Sequence, residues 1–262
     1  MLLAIDVGNT NTVIGLFRKK DLVRSWRLTT VAKQTADEYG ILFRNLFQPA
    51  GYEPGQVEQA IISCVVPPLE KTLRDMCRDY FNVDALTVGP GIKTGIRLAV
   101  DHPQEVGADR IVNAIAAWKI YGGPAVVVDF GTATTFDPIS KDGAFLGGAI
   151  APGVGISADA LYRAAAKLPR VDISRPRKVI GKNTVDNIQS GLFFGYRGLV
   201  DGILEAMIRE MGGEPTIIAT GGLGGIFQAE SKYIAHYDPD LTLTGLQILA
   251  ESNQAPREGG LR

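Results

Sequence analysis

Leu2-Leu3-Ala4-Ile5-Asp6-Val7-Gly8-Asn9-Thr10 decides how this chain folds, because the chain carries the pattern twice. The second copy is Ala125-Val126-Val127-Val128-Asp129-Phe130-Gly131-Thr132-Ala133-Thr134. Each is an apolar run that reads as a strand buried on both faces, and each stops at Asp-x-Gly followed by small hydroxyl or amide residues. Glycine lets the backbone turn sharply and come close to a ligand. Ser, Thr and Asn offer hydrogen bonds there without bulk. A carboxylate at the end of a buried strand is poorly solvated unless it is paired or holds a cation. Together these features describe a phosphate site assembled from two tight turns.

The flanks of the two copies also correspond. Asp6 and Asp129 are separated by close to half of the 262 residues. After the first turn come Thr12 to Phe17, polar Arg18 to Asp21, then Leu22 to Leu28. After the second come Thr135 to Ile139, polar Ser140 to Gly143, then Ala144 to Ile150. Both read as strand, hairpin, strand, hairpin, strand. One Asp-x-Gly often does no more than close a strand; two with matching flanks are a duplication.

Composition fits a two-domain globular chain. The length alone suggests two domains, and 45% hydrophobic residues supply an ordinary core for each. A formal net charge of −1 gives no reason to expect nucleic acid or an acidic membrane surface as partner. No apolar stretch is long enough to span a bilayer, and the N-terminus runs straight into a strand, so a cytoplasmic protein is expected. Cys64 and Cys77 fit no metal or redox spacing and read as buried thiols. Two histidines, His102 and His236, rule against a His-rich zinc site.

Between the copies, Thr35-Ala36-Asp37-Glu38 is a capping box that opens an amphipathic helix carrying Tyr39, Leu42, Phe43 and Leu46 and ending near Gly51. Ala60 to Val66 reads as a central strand, and Pro67-Pro68 starts the next helix. Ala85 to Val88 is a short strand before a loop that runs from Gly89 towards Pro103, long enough to be a binding element. Gly107-Ala108-Asp109-Arg110 then opens a helix. An acidic residue there would complement the helix dipole, but its position just before the second turn favours a functional role. Gly147 to Gly153 is too rich in small residues for ordinary structure. Asn183-Thr184 caps a helix in which Gly191, Gly195, Gly198 and Gly202 share one face. Each glycine costs roughly 1 kcal/mol against Ala, so a helix crossing or a subunit contact is expected to offset it. Thr216 to Thr220 is a buried strand ended by Gly221-Gly222-Leu223-Gly224, and Leu241 to Leu249 is a final apolar helix. The domains are accordingly 1–117 and 118–251, with 252–262 as a polar, disordered tail.

Asp-x-Gly-x-Thr near the N-terminus, Asp-x-Gly-Thr mid-chain and Ala219-Thr220-Gly221-Gly222-Leu223-Gly224 resemble the actin-like ATPase superfamily, which includes sugar kinases. More narrowly, Asp6-Val7-Gly8-Asn9-Thr10-Asn11-Thr12, Glu105-Val106-Gly107-Ala108-Asp109-Arg110 and Asp129-Phe130-Gly131-Thr132-Ala133-Thr134 resemble type III pantothenate kinases. The resemblance implies an α/β fold of two duplicated actin-like (ribonuclease H-like) domains, each a mixed sheet flanked by helices. It implies ATP-dependent phosphorylation of pantothenate to 4'-phosphopantothenate, the first step of coenzyme A biosynthesis. Under it, Asp109 is the general base, Gly107, Ala108, Arg110 and Thr184 contact substrate, and Asp6, Val7, Gly8, Asn9, Thr10, Asn11, Thr12, Val13 and Thr132 contact ATP. Asp129 binds a monovalent cation, K⁺ or NH₄⁺, and Asp6 is placed to hold Mg²⁺ through ATP. The family is dimeric, with the substrate site at the interface. One departure is Val100, where the family commonly has Tyr.

No G-x-x-x-x-G-K-[ST] is present, which excludes the P-loop route to ATP. Asp129-Phe130-Gly131 has no accompanying H-R-D or V-A-I-K, so it is not a protein-kinase signature. Two alternatives stay open: an actin-like-fold kinase for another small hydroxyl compound, and a nucleotide-binding transcriptional accessory regulator of the same fold. A regulator would need the phosphate turns but not Asp109, so Asp109 favours an enzyme.

Overall fold

The two strand-and-turn copies build two sheets of identical strand order. The computed structural model describes residues 1–254, and the chain forms two compact units. In chain order the strands and helices are β1 (Leu2–Val7), β2 (Asn11–Arg18), β3 (Asp21–Thr29), α1 (Ala36–Phe47), β4 (Gln59–Cys64), α2 (Pro67–Phe81), β5 (Ala85–Thr87), α3 (Ala108–Tyr121), β6 (Ala125–Phe130), β7 (Ala133–Ile139), β8 (Ala149–Pro152), α4 (Val154–Ala164), α5 (Thr184–Met211), β9 (Thr216–Thr220), α6 (Gly224–Gln228), β10 (His236–Tyr237) and α7 (Leu241–Ser252). The first sheet runs β3-β2-β1-β4-β5 and the second β10-β9-β6-β7-β8. In each, the Asp-bearing strand sits in the middle, antiparallel to the strand that follows it and parallel to the later one. The mixed two-sheet α/β architecture expected from the duplication is therefore present.

Central position explains the apolar runs. In β1 and β6 every residue is buried except the aspartate, which is half-buried. Neither strand alternates because both faces are covered, and each fully buried Val, Leu or Ile contributes about 1.5–3 kcal/mol. Ile5→Ala would remove one such side chain and leave a cavity beside Leu3, Val7 and Phe43.

The first unit contains residues 1–95, 102–116 and 241–254. Its core packs β1, β2 and β4 against α1 and α2 through Leu3, Ile5, Tyr39, Phe43, Phe47, Leu69 and Leu73. Thr35 caps α1 as expected: its Oγ1 accepts from Glu38 N at 3.3 Å, and Glu38 Oε2 accepts from Thr35 N at 2.7 Å. A 3-10 turn at Gln48–Ala50 then ends the element at Gly51, whose φ of +77° belongs to the left-handed region.

The closing helix corrects the sequence-based boundary. α7 packs on β1, β2 and β4, and so belongs to the first unit rather than completing 118–251. Its buried Leu241, Leu243, Leu246 and Leu249 need an apolar sheet face, and Gly15 of β2 leaves room for Leu243. The expected tail from Ser252 is also corrected at its start. Ser252 is the last residue of α7, and Asn253 is bonded to both backbone groups of Lys93, accepting from its N and donating to its O at 2.9 Å each. Residues 255–262 lie outside the described residues.

The second unit contains residues 96–101 and 117–240. Its core joins Val126, Val128, Phe130 and Phe136 to Phe193, Val200, Leu204 and Phe227. Phe130 and Phe227 stack with centroids 5.1 Å apart. The third strand is shorter and later than Ala144 to Ile150: Phe145 forms only isolated bridges, and β8 begins at Ala149. Gly147 at φ +104° and Gly148 at φ +149° interrupt the extended run between them.

Candidate nucleotide and substrate site

In the first unit the Asp6 turn is tied by hydroxyls. Gly8 N donates to Asn11 O at 3.0 Å, closing the turn between β1 and β2. A Cβ on Gly8 would stand 3.1 Å from that same oxygen. Thr30, just past β3, braces the turn from outside: its N donates to Thr10 O at 2.9 Å and its Oγ1 to Gly8 O at 2.8 Å. Buried Thr12 meets Thr30 hydroxyl to hydroxyl at 3.0 Å. Asn9 and Thr10 are left exposed at the tip, while Val7 is buried and Val13 lies beside Asp6 across the strand pair. Sequence reasoning missed Thr30, since nothing local marks a threonine two strands on as a turn brace.

Asp6 also aligns with Ser63 of β4, so the two side chains share one face of the sheet. Ser63 is fully buried and its Oγ has no hydrogen-bond partner among the described residues. A carboxylate beside an unsatisfied buried hydroxyl is an oxygen-rich edge that fits a hard, hydrated cation. No group of three His, Cys, Asp or Glu side chains is gathered for a metal among the described residues. Mg²⁺ suits such a site, since it is usually held by one or two carboxylates plus substrate phosphates.

Asp109 lies in the first turn of α3, with Ala108 before it and Gly107 just outside the helix. Its Oδ1 accepts from Arg110 N at 2.8 Å. A Cβ on Gly107 would stand 2.6 Å from that oxygen, so only glycine leaves the carboxylate this rotamer. Burial pushes the Asp109 carboxyl above its ordinary 3.8, and the backbone N–H and charge of Arg110 pull part of the way back. Asp109 also sits in the first turn of α3, where an acidic side chain complements the helix dipole.

The second turn repeats the first with one residue fewer. Gly131 N donates to Ala133 O at 3.0 Å, and Thr132 is exposed at the tip. Asp129 aligns with Thr135 on one side and Thr220 on the other, again on one face. Thr135 Oγ1 donates to Asp137 Oδ2 at 3.0 Å, and Asp137 is fully buried. Two glycines press on this turn. Gly153 N donates to Thr132 O at 3.1 Å, and a Cβ at 153 would meet Thr132 O and stand 2.6 Å from Gly131 O. Gly221, at φ +83°, abuts Asp129 from the other side. Gly153 closes the small-residue run singled out from sequence, whereas nothing local marks Asp137.

Thr184 is the first residue of α5, exposed, after the N-cap Asn183, whose Oδ1 accepts from Asp186 N at 2.9 Å. It lines an open cleft with Leu161, Leu168, Asn187, Ile188 and Leu192. The glycine face of α5 behaves differently from one of the two expectations. No described atom comes within 4 Å of a Cβ placed at Gly191, Gly195, Gly198 or Gly202, so no helix among the described residues crosses there.

Comparison with known proteins agrees with this geometry. Residues 2–206 match the family model for type III pantothenate kinase. A type III pantothenate kinase of Koribacter versatilis is 54% identical, with 97% of each chain covered. One from Anaeromyxobacter sp. strain Fw109-5 is 55% identical over 97% of this chain and 100% of its own. Among solved structures, a Sinorhizobium meliloti chain provisionally named a 2-dehydro-3-deoxygalactonokinase aligns over the full length of both with a TM-score of 0.59 at 14% identity, a likeness of fold. Duplicated Asp-x-Gly turns, a desolvated Asp109 and relatives above half identity leave one assignment: the chain belongs to the type III pantothenate kinase family.

Proposed function

We propose that this protein transfers the γ-phosphoryl group of ATP to the primary hydroxyl of pantothenate, producing 4'-phosphopantothenate and ADP for coenzyme A biosynthesis. The observation that carries the reading is Asp109, a carboxylate desolvated at the start of α3 in a chain more than half identical to named pantothenate kinases. In the step, the hydroxyl oxygen bonds to the γ-phosphorus, the bond to the β-phosphate oxygen breaks, and the hydroxyl proton passes to Asp109. Burial makes Asp109 the stronger base, and the Arg110 N–H fixes its orientation. Gly107, Ala108 and Arg110 in the first unit and Thr184 in the second are the candidate substrate contacts. Each Asp-x-Gly turn, taken by itself, carries small hydroxyl or amide residues suited to phosphate oxygens, with Asn9 and Thr10 at the first tip and Thr132 at the second.

Asp6, with Ser63 beside it, would hold Mg²⁺ through the ATP phosphates, and Asp129 would hold K⁺ or NH₄⁺. Bound there, the two cations neutralise charge that builds on the transferring phosphoryl group. The open glycine face of α5 supports a homodimer, since backbone exposed along four glycines is offset when a second copy covers it. A cytoplasmic location is consistent with two free cysteines and with the absence, among the described residues, of a helix able to cross a membrane.

Purified protein given ATP, Mg²⁺, K⁺ and pantothenate should release ADP only when pantothenate is present, with a product heavier by one phosphoryl group. ATP binding without pantothenate-dependent ADP release would refute the kinase reading and favour the regulator.

A further inference from the structure

We infer that Tyr196 and Tyr237 are positioning residues for ATP, each holding a glycine that presses on the second phosphate turn; the inference rests on the reading of that turn as part of the nucleotide site. Tyr237, in the short edge strand β10, donates from its hydroxyl to Gly221 O at 3.2 Å. Its ring lies over the start of α6, where Cβ atoms on Gly224 and Gly225 would stand 2.7 and 3.1 Å from it. Gly221 in turn abuts Asp129 and the Phe130 carbonyl. Tyr196, on α5, reaches back to the chain between β8 and α4. Its hydroxyl lies 3.1 Å from Pro152 O and 3.3 Å from Gly153 O, and it is also bonded to Ser157 Oγ. Gly153 is the residue whose N–H holds Thr132 O.

The two braces reach the turn from opposite sides through glycines, whose missing side chains allow the approach. A glycine hinge is free to move unless something fixes its carbonyl. Here a tyrosine hydroxyl does so at both hinges, and the rigid ring lets it act at little entropic cost. A change to Phe keeps each ring and its packing, that of Tyr196 against the core of the second unit included, and removes only the hydroxyl. What it loosens is the placement of Asp129 and Thr132, and hence the fit to a nucleotide rather than to the pantothenate side.

The test measures affinity for a non-hydrolysable ATP analogue with Mg²⁺ by calorimetry, in wild type, Tyr196→Phe, Tyr237→Phe and a control, Tyr80→Phe. Tyr80 Oη donates to Asp37 Oδ1 at 2.8 Å on the surface of the first unit, so the control also loses one tyrosine hydrogen bond. One hydrogen bond's worth of positioning predicts about three- to tenfold weaker binding for each brace variant. Melting temperatures should fall no further than in Tyr80→Phe, which also loses one hydrogen bond, while the KM for pantothenate should hold and Tyr80→Phe should bind normally. Unchanged affinity in both brace variants, or an equal loss in the control, overturns the inference. Binding needs no pantothenate, so a wild type that binds the analogue but phosphorylates nothing defeats the substrate reading alone. A wild type that binds no analogue defeats both.

Discussion

Gly221 and Asp129 are packed so closely that a methyl group on the glycine would stand 2.5 Å from the Asp129 Oδ1. The same methyl would stand 2.7 Å from the Phe130 carbonyl, and the backbone there sits at φ +83°. Gly221→Ala therefore meets both a steric and a conformational barrier, on the order of 2–3 kcal/mol. Gly222 has open space around it. Alanine at 222 should cost under about 1 kcal/mol. Thermal melts of the two variants compare them directly, and equal losses would mean that the turn yields.

Asp109→Asn should lower kcat by about 10²–10⁴-fold, the usual contribution of a general base. The folded-state pKa of Asp109 is raised by burial. Such a group favours folding when protonated, below its unfolded pKa, and that benefit is lost as pH rises through the folded value. At pH 7 the ionised side chain therefore costs stability, and the asparagine variant should melt at the same temperature or higher. In wild type, kcat should fall on acidification along a limb lying above the ordinary carboxylate value of 3.8, and that limb should vanish in the variant. A variant that keeps most of its kcat would remove Asp109 from the chemistry.

Activity should require a small monovalent cation as well as Mg²⁺. If the second turn holds ATP, the half-buried Asp129 carboxylate would repel the triphosphate unless a cation lay between them. Replacing K⁺ by tetramethylammonium, too large to enter, should suppress turnover at fixed ionic strength. Asp129→Asn should abolish the difference between the two salts. Equal wild-type rates in both would contradict the cation role.

Substitution on the glycine face of α5 should separate monomer from assembly. Space is open at Gly198, so Gly198→Ala in an isolated chain would stabilise the helix by roughly 1 kcal/mol. In a dimer packed through that face, Gly198→Leu should hold the copies apart and shift the sedimentation coefficient to that of a monomer. A leucine variant that sediments as wild type would relocate the interface.

Much of this was legible before any fold was known. The unbroken apolar runs of β1 and β6, the glycines that end them and the Thr35 capping box are local patterns, with their physical cause within a few residues. Asp109 was legible as a candidate because Gly107 to Arg110 form a motif, although its burial, which raises the carboxyl, is contained in no motif.

The sequence by itself determined that the chain is duplicated, where each central strand ends, and which aspartates stand at the turns. Tertiary structure alone decided what holds those turns. Thr30 braces the first, Gly153 and Gly221 press on the second, and Ser63 and Asp137 sit buried beside them. Tertiary structure also returned α7 to the first sheet, where its leucines found a face that β1, β2 and β4 had left uncovered. Periodicity records which side of an element is apolar, because that follows from backbone geometry. It does not record which distant surface that side will meet, since that choice is made by packing across the whole unit after the elements have formed.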